Sequence, residues 1–177
     1  MYIENILLDD IVIIKKEPVV DSRGFFERIY CHNEYEKLNI DFDYVQQNIS
    51  FNSKKGTIRG LHYQQPPFGE KKIIQCLRGK IMDVLLDIDA DSKNYGKCVC
   101  VELSDENNRM IYVPEHYAHG FQTLMDNTLL LYFMGNYYNS DAARGYNCFS
   151  ELLDIEWPIN EKYIISDKDS KLPFFGE

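Results

Sequence analysis

The chain has 177 residues, 45% hydrophobic and 27% charged, an ordinary globular balance and enough length for one domain, residues 1–177, around a single core. A formal charge of -9 argues against a nucleic-acid surface, which needs clustered Lys and Arg, yet leaves room for one small anionic ligand held by a few converging cations. The start, Met1-Tyr2-Ile3-Glu4-Asn5, lacks signal-peptide features and no apolar run approaches membrane-spanning length; with five cysteines free of metal-ligand spacing, no membrane association, reduced thiols and a cytoplasmic location are expected.

Residues 6–15 are rich in Ile, Leu and Val and read as strand. Asp21-Ser22-Arg23-Gly24 is a turn feeding an extended segment over 25–30. Asn33 as N-cap, with Glu36 three residues later, is an amide version of the capping box and predicts a short helix toward Leu38. Residues 44–50 and 57–64 read as strands separated by a loop, and the two prolines of 65–69 make that segment a loop too, because proline removes ladder donors. Strands over 72–77 and 80–89 join through Arg78-Gly79. In the second, Met82, Val84, Leu86 and Ile88 share one face; Asp83, Leu85, Asp87 and Asp89 share the other, which then lines solvent or a polar cavity. Residues 98–103, 109–113, 119–124 and 129–134 complete the set. Many short strands at even spacing, with almost no helix, predict an all-β antiparallel sandwich or small barrel whose inward side chains converge on one mouth.

The histidines are His32, His62, His116 and His119. A metal-binding jelly roll offers two His two residues apart, then an acid and another His; Gly60-Leu61-His62-Tyr63-Gln64 supplies only one and residues 115–119 have a different spacing, so no metal and no cofactor are expected. His62 is a candidate proton acceptor near neutrality provided a carboxylate orients it, with Asp169 and Asp83 as candidate partners; the alternative is a hydrogen-bonded structural histidine. Strand alternation puts Arg59 and Tyr63 on the side opposite His62. Tyr132 shares a face with Leu130 and Met134, either as a cavity acid or as core packing. Lys72 opens a strand apolar on one face, which suits a cation held against an anion.

Asp21 to Phe26, Val45-Gln46-Gln47-Asn48, Arg59 to Gln64, Pro114 with His119-Gly120-Phe121, Leu131-Tyr132, Asn136-Tyr137-Tyr138, Trp157-Pro158 and Ser166-Asp167-Lys168-Asp169 occur in this order. Together they resemble the dTDP-4-dehydrorhamnose 3,5-epimerase family. The resemblance implies a cupin-like jelly-roll barrel with a few short helices, a homodimer whose N-terminal strands cross to the partner, no metal, and a nucleotide-diphospho-4-keto-6-deoxy sugar as substrate. Carried over residue by residue, His62 would be the base, Asp169 its dyad partner, Tyr132 the acid with Tyr138 as alternative or helper, and Lys72 the cation at the C4 oxygen. His119 would contact the sugar. Arg23, Arg59 and Lys168 would hold the diphosphate or its surroundings, with Gln46, Gln47, Asn48 and Phe26 near the nucleotide. The chain departs from the family pattern at Arg28, where many members have Glu, at Arg144, and at Cys148-Phe149-Ser150-Glu151. These departures touch substrate contacts rather than the acid and base and leave the nucleotide and exact sugar open. The alternatives to a 3,5-epimerase of a dTDP sugar are a single-centre epimerase, one acting on a GDP- or CDP-linked sugar, or a non-catalytic sugar-nucleotide-binding protein.

Overall fold

A computed structural model describes residues 1–177. Its strands are β1 (Tyr2–Leu7), β2 (Ile11–Lys15), β3 (Val19–Asp21), β4 (Gly24–Phe26), β5 (Gln46–Asn52), β6 (Ile58–Gln64), β7 (Lys72–Arg78), β8 (Lys80–Asp87), β9 (Cys98–Ser104), β10 (Arg109–Val113), β11 (Tyr117–Thr123), β12 (Thr128–Met134) and β13 (Ala143–Gly145). The helices are short, α1 (His32–Lys37) and α2 (Asp167–Ser170). A six-stranded sheet runs β1-β2-β10-β7-β12-β5 and a five-stranded sheet β13-β6-β11-β8-β9. The strand pairs within both sheets are antiparallel, and the two sheets pack as a cupin-like jelly roll.

Alternation explains which residues meet between the sheets. Ile11, Ile74, Ile111 and Leu130 from the first face Leu85, Val101, Leu103 and Phe121 from the second, and each such fully buried aliphatic side chain stabilises the fold by about 1.5–3 kcal/mol. The outer faces are covered as well. Tyr35 of α1 with Ile40 and Phe42 packs on Ile73 and Phe133, while Cys148, Leu153, Trp157 and Phe175 of the C-terminal segment pack on Leu61, Val84 and Leu86. Trp157 donates its indole N–H to the Cys148 carbonyl at 2.9 Å, fixing that segment against the sheet. The carboxylates of β8 therefore turn inward: Asp83 and Asp87 are fully buried.

Several expected elements differ. The strand over 6–15 is a hairpin, broken at Leu8 and Asp9, whose φ values of 46° and 81° place them in the left-handed region. Cys31, not Asn33, occupies the α1 N-cap position, and no side chain caps it. Extended pairing ends at Phe26 rather than at Tyr30, and β3 and β4 form a separate two-stranded hairpin. No helix is long and apolar enough to cross a membrane, and all five cysteines are free.

Candidate active site

A cavity of about 520 Å³ opens between the sheets, with His62, Arg59, Lys72, His119, Tyr132 and Asp169 among its walls. Its geometry starts from a bulge. On β11, His119 pairs with His62 and Phe121 with Arg59, so three residues of β11 stand against four of β6. Arg59 and His62 consequently share the cavity face, where plain alternation puts them on opposite faces. Glycine at 60 permits this: its φ is +107°, and a Cβ there would stand 2.6 Å from both Gly120 Cα and the His119 carbonyl oxygen.

His62 Nε2 lies 2.9 Å from Asp169 Oδ1. A carboxylate only accepts, so Nε2–H donates, which leaves Nδ1 as the ring's proton acceptor. Asp169 is itself pinned. Its Oδ2 accepts from the Gly60 N–H at 3.2 Å, and its own N–H donates to the Ser166 hydroxyl that caps α2. Burial pushes the Asp169 carboxyl up, but the hydrogen bond and charge of His62 and the Gly60 and Ser166 contacts outweigh it and hold the group below its ordinary value. The His62 ring is 44% exposed and Asp169 only 7%, so the imidazole reaches into the cavity from a carboxylate anchored in the wall.

Tyr132, opposite Asn48 on β12, shares its face with Leu130 and Met134. Burial, then the nearby Asp83 charge, push its phenol well above the usual value, Arg59 pulling the other way, so it is a protonated donor at neutral pH. Lys72 Nζ sits 3.1 Å from Glu70 Oε1, both side chains nearly buried. Arg59 donates its Nε–H to Asn52 at 2.8 Å, leaving its terminal nitrogens available. Asp83 is not a partner of His62. Its Oδ1 lies 2.7 Å from Nε2 of His119, giving the cavity a second histidine–carboxylate pair.

Asn48, Tyr138 and Lys168 also line the cavity. Gln46 stands just behind, accepting from the Tyr138 N–H at 3.1 Å. Gln47 falls on the other face of β5, away from Asn48. Arg23 and Phe26 are elsewhere in this chain: Arg23 pairs with Asp21 at 2.6 Å and Phe26 is 71% exposed on the β3–β4 hairpin. Glu27 is directed away too, against Lys16 and Gln75, while Arg28 pairs with Glu34. The reading from sequence missed Glu70, Asn52, Gln64 and Ser166; the two-residue spacing of Glu70 and Lys72 was the one usable signal among them.

A jelly roll that presents an oriented imidazole, a protonated phenol and a buried lysine to one cavity has the architecture of a cupin-fold enzyme. The known proteins it matches agree. The family described as dTDP-4-dehydrorhamnose 3,5-epimerase matches residues 5–177. A curated dTDP-4-dehydrorhamnose 3,5-epimerase of Sinorhizobium fredii is 35% identical over 177 residues, covering 100% of this chain and 91% of that one. The crystal structure of the Bacillus anthracis dTDP-4-dehydrorhamnose 3,5-epimerase, with TDP and PPi bound, superposes with a TM-score of 0.95 at 35% identity over 97% of this chain and 98% of that one. A 3'-monoepimerase of Streptomyces bikiniensis in complex with dTDP-quinovose reaches 0.88 at 25% identity, covering 98% and 87%. The chain belongs to the dTDP-4-dehydrorhamnose 3,5-epimerase family.

Proposed function

We propose that this protein inverts C3 and C5 of dTDP-4-dehydro-6-deoxyglucose, yielding dTDP-4-dehydrorhamnose. The observation that carries the reading is the His62–Asp169 pair at 2.9 Å in one cavity with Tyr132 and Lys72. A C4 ketone acidifies the C–H bonds on either side of it because the electron pair left behind delocalises onto oxygen. His62 Nδ1 takes the proton from C3 or C5, and Asp169 steadies the resulting imidazolium. The developing O4 enolate meets Lys72, a preorganised donor of a kind worth roughly 3–4 kcal/mol of barrier. Tyr132 then delivers its phenolic proton to the same carbon from the other face, inverting it, and solvent restores both groups. Two carbons flank one ketone, so one His–Tyr pair serves both if the ring shifts between the two transfers.

His119 contacts the sugar, Arg59 and Lys168 the diphosphate, and Gln46, Asn48 and Tyr138 the nucleotide, while Gln47, facing away, has no part in this cavity. Arg23 and Phe26 complete that end from a second copy of the chain in a homodimer. The β3–β4 hairpin supports this, since Val19, Val20, Phe25 and Phe26 are each at least 70% exposed and idle in a single chain. The chain acts as one domain, in the cytoplasm, where its free thiols stay reduced.

The test is incubation with the 4-keto sugar nucleotide in deuterated water. Deuterium is expected at both C3 and C5 of the product, and no incorporation at either carbon rejects the reading. Incorporation at one carbon would instead favour a single-centre epimerase, a reading supported by the likeness to the Streptomyces bikiniensis 3'-monoepimerase. Running dTDP, GDP and CDP sugars side by side settles the base.

A further inference from the structure

His119 and His62 are direct cross-strand partners, and each rests on a buried aspartate. The reaction just described uses only one of these pairs. Asp83 has zero exposure, its Oδ1 lies 2.7 Å from His119 Nε2, and its Oδ2 has no hydrogen-bond partner at all. It stands behind the cavity wall, while His119 forms part of that wall and sets its ring edge-on to Tyr132, centroids 6.1 Å apart and planes at 69°. Leu85, next along the same face of β8, is plain core. A buried carboxylate with one oxygen unmatched is a cost that a second Leu would avoid, so stability gives no reason for it.

Resting on the epimerase reading, we propose that Asp83 is a positioning residue of the reaction. It fixes the tautomer and aim of His119 and sets one uncompensated negative charge behind the wall that carries the acid. A carboxylate accepts from Nε2–H, so Nδ1 of His119 is the nitrogen left for the sugar. The same charge opposes ionisation of Tyr132 and keeps the phenol a donor. The charges and thiol that act on that phenol are Asp83 from β8, Arg59 from β6 and Cys76 from β7, with His119 of β11 edge-on to it and the neutral Asn48 opposite on β5; Lys72 with Glu70, and His62 with Asp169, line the same cavity as internally paired groups. Of the groups that act on the phenol only Asp83 is a carboxylate.

Asp83→Asn keeps an acceptor for His119 and removes the charge. The variant is expected to lose about tenfold to a hundredfold in kcat, with KM and dTDP affinity by calorimetry within about twofold. The basic limb of its kcat–pH profile is expected at lower pH than in the wild type. Independently, nitrogen-15 spectra of the histidines of the wild-type protein should place the proton of His119 on Nε2. Unchanged kcat and pH profile in the folded variant overturn the proposal, as does a loss of dTDP affinity parallel to the loss of kcat. If the variant does not fold, the wild-type spectrum decides, and a proton on Nδ1 overturns it. A wild type that exchanges no deuterium brings down the epimerase reading itself, whereas an exchanging wild type matched by the variant brings down this inference alone.

Discussion

The cavity holds two histidine–aspartate pairs built on adjacent strands, and they differ in almost everything except the bond that joins them. In one, the His62 ring is 44% exposed and its carboxylate is held by the Gly60 N–H and seated on the Ser166-capped α2. In the other, the His119 side chain is 8% exposed and the Asp83 carboxylate has no hydrogen bond beyond the imidazole. A proton carrier needs access to its substrate and to solvent, and a counter-ion that stays fully matched as the ring charges and discharges. The first pair has both. The second touches the cavity but is closed to solvent and has an acid only half matched, and it is arranged to orient and to bias its surroundings. Two side-chain pairs of the same chemistry are thus separated in role by burial and by the hydrogen bonds of the acid.

The sharpest way to break this distinction is to remove the proposed proton carriers themselves. His62→Ala is expected to lower deuterium exchange at C3 and C5 by roughly a thousandfold, within the range for a lost general base, while calorimetry gives dTDP affinity within about twofold of wild type. Exchange that survives would move the base to the His119 side of the cavity. Tyr132→Phe has the next largest effect. Phenylalanine fills the same space, so folding is kept, and inversion falls about a hundredfold. Deuterium should still enter on the face His62 serves, with retained configuration, and NMR of the recovered sugar distinguishes exchange from inversion. Equal loss of both would mean that the phenol does more than reprotonate.

The strands were legible in sequence because a half-buried strand carries its own period, and β7, β8, β10 and β12 lie within about two residues of the expected spans. His62, Tyr132 and Asp169 were recognisable because they stand in ordered motifs, Lys72 because a lone cation opens an apolar strand, and the cavity does bring them together. What escaped depends on contacts with distant residues. Arg59 shares a face with His62 only because β6 bulges against Gly120 of β11, and no local pattern announces that. Residue types alone left Asp83 and Asp169 both open as partners of His62, and only the resemblance favoured Asp169; that Asp83 instead meets His119, diagonally across the β8–β11 pair, is a contact between strands that no local pattern shows. The turn at Leu8 and Asp9 went unseen because neither residue is the glycine that a left-handed conformation usually signals. β13 has three residues, too few for any period, and exists by pairing with β6.

The smallest effect concerns stability and follows from the way Asp169 is held. Its carboxyl titrates lower in the folded chain than in the unfolded one, chiefly because of His62 once the opposing effect of burial is overcome. The unfolded chain therefore binds the proton more readily. The stabilisation is complete above the unfolded value, about 3.9, and disappears as pH falls through the depressed folded value. Asp169→Asn has no such titration. Thermal melts should show the wild type ahead of Asp169→Asn above about pH 5, with the gap closing as pH falls below about 4. A gap independent of pH would mean that Asp169 holds β6 through neutral hydrogen bonding alone, and the two pairs would then differ in access to the cavity but not in how their charge is matched.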